Sequence, residues 1–282
     1  MRTKEQRREL LVGILVAAVA ILLFRLSGIF TSYAASFIIA LRAGTAEEIE
    51  TLFYEHYQLI ALVHHVLALA GLAVLAAILG KPKETVGLRK MRPRSIPVVV
   101  LAGITLSFAV SAVLTLIPMP EETVETYNET MAALTGGQPV LMGLNLVVLA
   151  PLTEEFAFRA LAFRSLRRGM PFWPASLLTA LAFGLIHTAG PQMIYAFLLG
   201  ILFSAVDEKA DSALPGFFCH LGFNLLSFCF TLLPPAFELW QIVTLGAVAA
   251  GVSAAAFILL FSSRSPLLPP QNTSEVSNDA SL

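Results

Sequence analysis

The stretch VLMGLNLVVLAPLTEEFAFRALAF, residues 140–163, is apolar along most of its length yet carries Glu154, Glu155 and Arg159. A hydrocarbon core of about 30 Å is crossed by about 20 residues of helix, so the run is long enough to span a bilayer. Ionisable groups at membrane depth are costly, and they usually face a protein interior rather than lipid. The stretch therefore predicts a transmembrane helix packed against other helices, with a polar site among them.

Working outward, comparable runs lie at 10–29, 59–79, 96–117, 174–188, 192–206, 214–233 and 239–261. With 57% hydrophobic and 13% charged residues and a mean hydropathy of +0.78, the chain cannot cover a soluble surface. The reading is an all-α, polytopic membrane protein of about eight transmembrane helices. Residues 1–261 form a single integral membrane domain with its polar core within 140–233, followed by a Ser-, Pro- and Asn-rich tail, 262–282, expected to be disordered. The fifth and sixth runs are short and separated only by Ala189-Gly190-Pro191. A hairpin turning inside the bilayer is expected there, shielded by protein or a wet cavity.

Charges in the connections set an orientation. Arg2, Lys4, Arg7 and Arg8 precede the first run; Lys81, Lys83, Arg89, Lys90, Arg92 and Arg94 follow the second; Arg164, Arg167 and Arg168 follow the fourth. The intervening connections are acidic, with Glu47, Glu48, Glu50 and Glu55 in one and Glu121, Glu122, Glu125 and Glu129 in the other. Basic connections stay in the cytoplasm, which places both termini there. Ala34-Ala35 is a poor cleavage site, so the first run reads as an uncleaved anchor. The net charge of −1 says nothing about nucleic acid, but no basic stripe is present, so no nucleic-acid partner is expected and the expected partner is the lipid bilayer. Cys219 and Cys229 share one run, about 15 Å apart as a helix, too far for a disulfide, and read as buried packing residues.

Three polar patterns fall in separate runs: Glu154, Glu155 and Arg159 as E-E-x-x-x-R, Phe183 and His187 as F-x-x-x-H, and His220 and Asn224 as H-x-x-x-N. Residues four apart share a helix face, so Arg159 can neutralise Glu155 within one turn. Glu154, rotated by about 100°, is left to face a cavity. Counting from Arg164 and Asp211 puts Glu154 and His220 both about 14–15 Å deep. Any one of these residues has a plainer reading. A lone membrane histidine is usually packing, a Glu–Arg pair is often a clamp, and Phe183 alone is core. All three patterns at comparable depth read instead as a site. A carboxylate withdrawn from water can act as a general base, imidazole can orient water and shuttle protons, and imidazole or amide N–H groups can stabilise an oxyanion. Glu154, His187, His220 and Asn224 suit amide hydrolysis without a covalent intermediate.

The three patterns resemble those of the CAAX prenyl endopeptidase and bacteriocin-processing family, intramembrane glutamic endopeptidases related to the Ras-converting enzyme. The resemblance rests on Glu154-Glu155-Phe156-Ala157-Phe158-Arg159, Phe183-Gly184-Leu185-Ile186-His187 and His220-Leu221-Gly222-Phe223-Asn224, and covers roughly 140–233. It implies Glu154 as catalytic base, His187 as its partner in activating water, His220 and Asn224 as oxyanion site, and Glu155 with Arg159 in support. It further implies a cavity open to cytoplasm and lipid, a peptide or protein substrate that in some relatives is lipidated, and no cofactor. Compact loops suit a prokaryotic plasma membrane. Three alternatives stand beside this reading. Glu154, His187 and His220 could ligate zinc, although no H-E-x-x-H is present. The buried groups could serve a proton-coupled transporter, although no inverted repeat is visible and the ionisable residues cluster in one half. The chain could also be a non-catalytic immunity or scaffold protein.

Overall fold

The computed structural model describes residues 3–80, 87, 91–187, 190–234 and 236–262, the side chains of 133 and 134 excepted. Lys81, Lys83, Arg89 and Lys90 of the second basic connection, and residues 263–282 of the tail expected to be disordered, lie outside the described residues.

All the described regular structure is helical. Helix α1 is Lys4–Ala40, α2 Ala46–Glu55, α3 Tyr57–Ile78, α4 Ile96–Leu116 and α5 Glu121–Thr135. Helix α6 runs over Pro139–Gly169, α7 Phe172–Leu185, α8 Gly190–Ala210, α9 Leu214–Leu232 and α10 Leu239–Phe261. Among the described residues, seven helices are long and apolar enough to cross a membrane, namely α1, α3, the α4 segment from Pro93, α6, α8, α9 and α10. The eighth apolar run is α7, at 14 residues. Only the fifth run is therefore short. The sixth extends to 21 residues because Asp207, Glu208 and Lys209 continue the helix beyond the apolar run.

Helices α2 and α5 lie in the two acidic connections, which the apolar pattern leaves as loops. Each has its own start signal. The Thr45 hydroxyl accepts from the Glu48 N–H at the head of α2, and Glu121 and Glu122 follow Pro120 in the first turn of α5, where carboxylates suit the helix dipole.

The arginines of the first and fourth connections gather at one end of the bundle, where Arg164 and Arg167 pair with Asp211 and Glu208. The start of α1 packs on the end of α6, where Gly13 meets Ser165 and Gly169 meets Leu10. Arg7 and Arg8 thus share an end with Arg164, Arg167 and Arg168. Gly137 packs against Glu55 and Gln58 at the other end. Large apolar side chains such as Leu11, Leu15, Leu22, Phe30 and Ile78 stand exposed on the outer faces, as lipid-facing helices require. Cys219 is buried, whereas Cys229 is exposed on α9, contrary to the expectation that both are buried; neither forms a disulfide.

Helix α9 is held closely against α4. A Cβ at Gly222 would stand 2.2 Å from the Val100 carbonyl oxygen, and one at Gly103 would stand 2.0 Å from that of Cys219. Small residues permit this approach, which is how helices pack where apolar side chains gain nothing by leaving lipid. Gly222 sits between His220 and Asn224, so the contact fixes the helix that carries both.

Candidate active site

Helix α6 is the central support, and its first irregular segment follows from one residue. Pro151 has no N–H to donate and cannot sustain a regular ladder. The helix widens over Leu144–Leu149, where the Ala150 N–H reaches back five residues to the Asn145 oxygen. In that register Pro151 would be the donor to Leu146. Instead the Asn224 side-chain amide of α9 donates to the Leu146 oxygen at 2.9 Å. A neighbouring helix thereby satisfies the carbonyl that proline frees. A second widened segment, Phe156–Phe163, carries Arg159.

Three helices converge just beyond Pro151. Arg159 Nε lies 3.3 Å from Glu155 Oε2, the pairing expected from their spacing. The same carboxylate has a second partner that spacing could not show: His220 Nδ1 of α9 donates to Glu155 Oε1 at 2.9 Å. The other ring nitrogen, Nε2, faces Glu154 Oε2 at 3.8 Å. One imidazole therefore stands between both glutamates. Glu155 is enclosed, its side chain 3% exposed, whereas Glu154 keeps 13% and makes no hydrogen bond among the described residues. With Nδ1 committed to Glu155, only Nε2 of His220 is free to meet another molecule.

Phe183 of α7 binds the cluster together. Its ring centroid lies 4.1 Å from the Arg159 guanidinium carbon, and the rings of His187 and His220 meet it edge-on at 4.9 and 6.0 Å. Phe203 of α8 stacks on His220 at 5.2 Å and lies 5.5 Å from Arg159. The Arg159 nitrogens make no hydrogen bond, so the guanidinium is held by one carboxylate and aromatic faces. His187, just past the end of α7, donates from Nδ1 to the Phe183 oxygen at 2.8 Å, which leaves Nε2 as its acceptor. It lies within electrostatic range of Glu154 and His220. Asn224 spends one amide N–H on Leu146 and retains the second.

The structure thus brings Glu154, Glu155, Arg159, Phe183, His187 and His220 into one cluster, with Asn224 one turn beyond His220 on α9. The arrangement offers an accessible carboxylate, two imidazoles with one nitrogen each uncommitted, and a spare amide N–H. Among the described residues no three His, Cys, Asp or Glu side chains converge as a metal ion would require.

Several buried polar residues near the site were not singled out from sequence. The Ser27 hydroxyl donates to the Phe24 oxygen at 2.8 Å and accepts from His64 at 3.0 Å. The Thr153 hydroxyl donates to the Leu149 oxygen at 2.7 Å and accepts from His65 at 3.0 Å. Asn145 donates to Gln58 from within the first widened segment. Tyr195 of α8 lies near Tyr127 of α5 and in electrostatic range of Glu154. Asp207 is fully enclosed near the end of α8. The rule that exposes Glu154 to view, a polar group inside an apolar run, applies equally to His64 and His65. Buried ionisable groups are therefore not confined to the second half of the chain.

Fold and site together define an integral membrane protein with a buried carboxylate–imidazole cluster shared by several spans. Residues 136–226 match the family model for type II CAAX prenyl endopeptidase, Rce1-like. The match bears out the resemblance read from the three motifs, and it encloses all seven of their residues, although it covers about a third of the chain. No curated protein and no solved structure matches.

Proposed function

We propose that the chain is an intramembrane endopeptidase in which Glu154 is the general base. The observation that carries this reading is the His220 imidazole between two unequal carboxylates, one enclosed and hydrogen-bonded, the other accessible and unbonded. Glu154 takes a proton from water, with His187 Nε2 orienting that water. The water oxygen adds to the carbonyl carbon of the scissile bond. The developing oxyanion is met by His220 Nε2, carrying a proton, and by the second Asn224 N–H. Collapse breaks the C–N bond, and the leaving amine takes the proton from Glu154, giving one carboxylate product and one amine. Glu155, Arg159 and Phe183 hold the geometry without touching the substrate. The gathering of Arg7, Arg8, Arg164, Arg167 and Arg168 at one end supports placing the site on the cytoplasmic half of the membrane, and the match to the CAAX prenyl endopeptidase model supports testing a lipidated peptide as substrate.

The test is cleavage of quenched-fluorescence peptides by purified protein in lipid, with and without a farnesylated cysteine and with and without a zinc chelator. Cleavage indifferent to chelator is expected, faster on the farnesylated peptide. Chelator-sensitive cleavage would assign Glu154, His187 and His220 to a metal instead, and equal rates on both peptides would remove the lipid from the substrate.

A further inference from the structure

The first turn of α9 presents a capping problem that its own residues do not solve. Helix N-termini leave backbone N–H groups without partners. The residue preceding α9 is Ala213, whose side chain can accept nothing. Each donor nevertheless has a partner or needs none. The Leu214 N–H reaches the Ser212 hydroxyl at 3.3 Å, Pro215 has no N–H, and the Phe217 N–H bonds the Ala213 oxygen at 3.2 Å. The Gly216 N–H is taken by Asp207 Oδ1 at 2.8 Å, a carboxylate nine residues upstream on α8. Asp207 also anchors the turn between the helices, because its backbone oxygen accepts from Ser212 at 3.1 Å.

This carboxylate is only 2% exposed, and Oδ2 has no hydrogen-bond partner. Burying it at that spot is justified by the helix N-terminus it faces, where a negative charge is favoured. Gly216 is what lets it approach, since a Cβ there would lie 2.8 Å from Oδ1 and 2.9 Å from Oδ2. The position also matters for the site. Gly216, His220 and Asn224 follow one another at intervals of four and therefore lie along one stripe of α9. Asp207 pins the first member of that stripe, and His220, one turn on, reaches Glu155.

We infer that Asp207 is a positioning residue for the reaction. By docking the start of α9 it sets the depth and rotation at which His220 meets Glu154 and Glu155. The inference rests on the hydrolytic reading of the site, so its test has one readout that depends on catalysis and one that does not. Asp207→Ala, Asp207→Asn and Gly216→Ala are compared with wild type in lipid, with Glu208→Gln as the neighbouring control. Amide hydrogen exchange over residues 207–224 is measured beside kcat and KM. In Asp207→Ala and Gly216→Ala, exchange at the start of α9 rises by about tenfold, the worth of a lost cap, while the other helices exchange as before. In both, kcat falls by about 100-fold, as expected for a displaced catalytic group, and KM is unchanged. Asp207→Asn keeps an acceptor oxygen and remains within about fivefold of wild type in both readouts. Exchange that is unchanged, or raised evenly through every helix, overturns the inference, as does a full kcat in Asp207→Ala. If wild type cleaves no peptide, the hydrolytic reading fails, and the exchange pattern alone decides whether Asp207 docks α9.

Discussion

Helices α3 and α9 each press a buried histidine against α6, and the two contacts lie within one turn of each other on that helix. On one side His65 donates to the Thr153 hydroxyl at 3.0 Å; on the other His220 donates to the Glu155 carboxylate at 2.9 Å. Residue type, burial and supporting helix are alike, and the partners differ. Thr153 passes its own proton to a backbone oxygen, so the His65 contact ends in a chain of neutral hydrogen bonds. His220 faces two carboxylates, and one of them, Glu154, makes no hydrogen bond and stays accessible. A membrane histidine is thus no sign of chemistry by itself. The sign is an imidazole whose partner is charged and whose second nitrogen looks toward an unbonded group.

The comparison breaks most readily at the charged side. Glu155→Ala and Arg159→Ala each leave a buried partner charge alone, and each should cost about 3–5 kcal/mol of stability and abolish most turnover. A melting temperature equal to wild type in either variant would show that the pair does not support the site. Asn224→Ala removes one N–H from the Leu146 oxygen and, on the proposed mechanism, another from the oxyanion, so turnover should fall by about 100–1,000-fold. Equal turnover in that variant would confine Asn224 to helix packing. The smallest change is expected on the neutral side. His65→Ala should lower stability by about 1–3 kcal/mol for the lost hydrogen bond and leave kcat near wild type, measured on the same peptide. A large loss of kcat there without loss of stability would erase the distinction between the two histidines.

Much of this was legible in the sequence, for identifiable reasons. Apolar length marked the spans, and the four-residue spacing of Glu155 and Arg159 foretold their ion pair, because both are properties of a single helix. The link from His220 to Glu155 was hidden, since it joins helices 65 residues apart and depends on how α9 rotates against α6. Gly103 and Gly222 hold α9 close on α4, and a glycine in an apolar run does not announce its partner. Pro151 signals in the sequence that a carbonyl one turn back lacks its donor, but that this is the Leu146 oxygen and that Asn224 serves it depend on the widened register and on where α9 lies. The apolar run understates α8, because Asp207 and its charged neighbours end the run without ending the helix. His64 and His65 break the second run just as His187 breaks the fifth, and the sequence shows no partner motif beside them.

The central claim is that Glu154 does chemistry and does not hold the fold. Turnover of the farnesylated peptide and the melting temperature of Glu154→Gln in lipid test it most directly, run beside wild type. Turnover should fall by about 1,000-fold or more at an unchanged melting temperature, because the carboxylate makes no hydrogen bond that glutamine would lose. Turnover equal to wild type would contradict the account and return the pair of glutamates to a structural role.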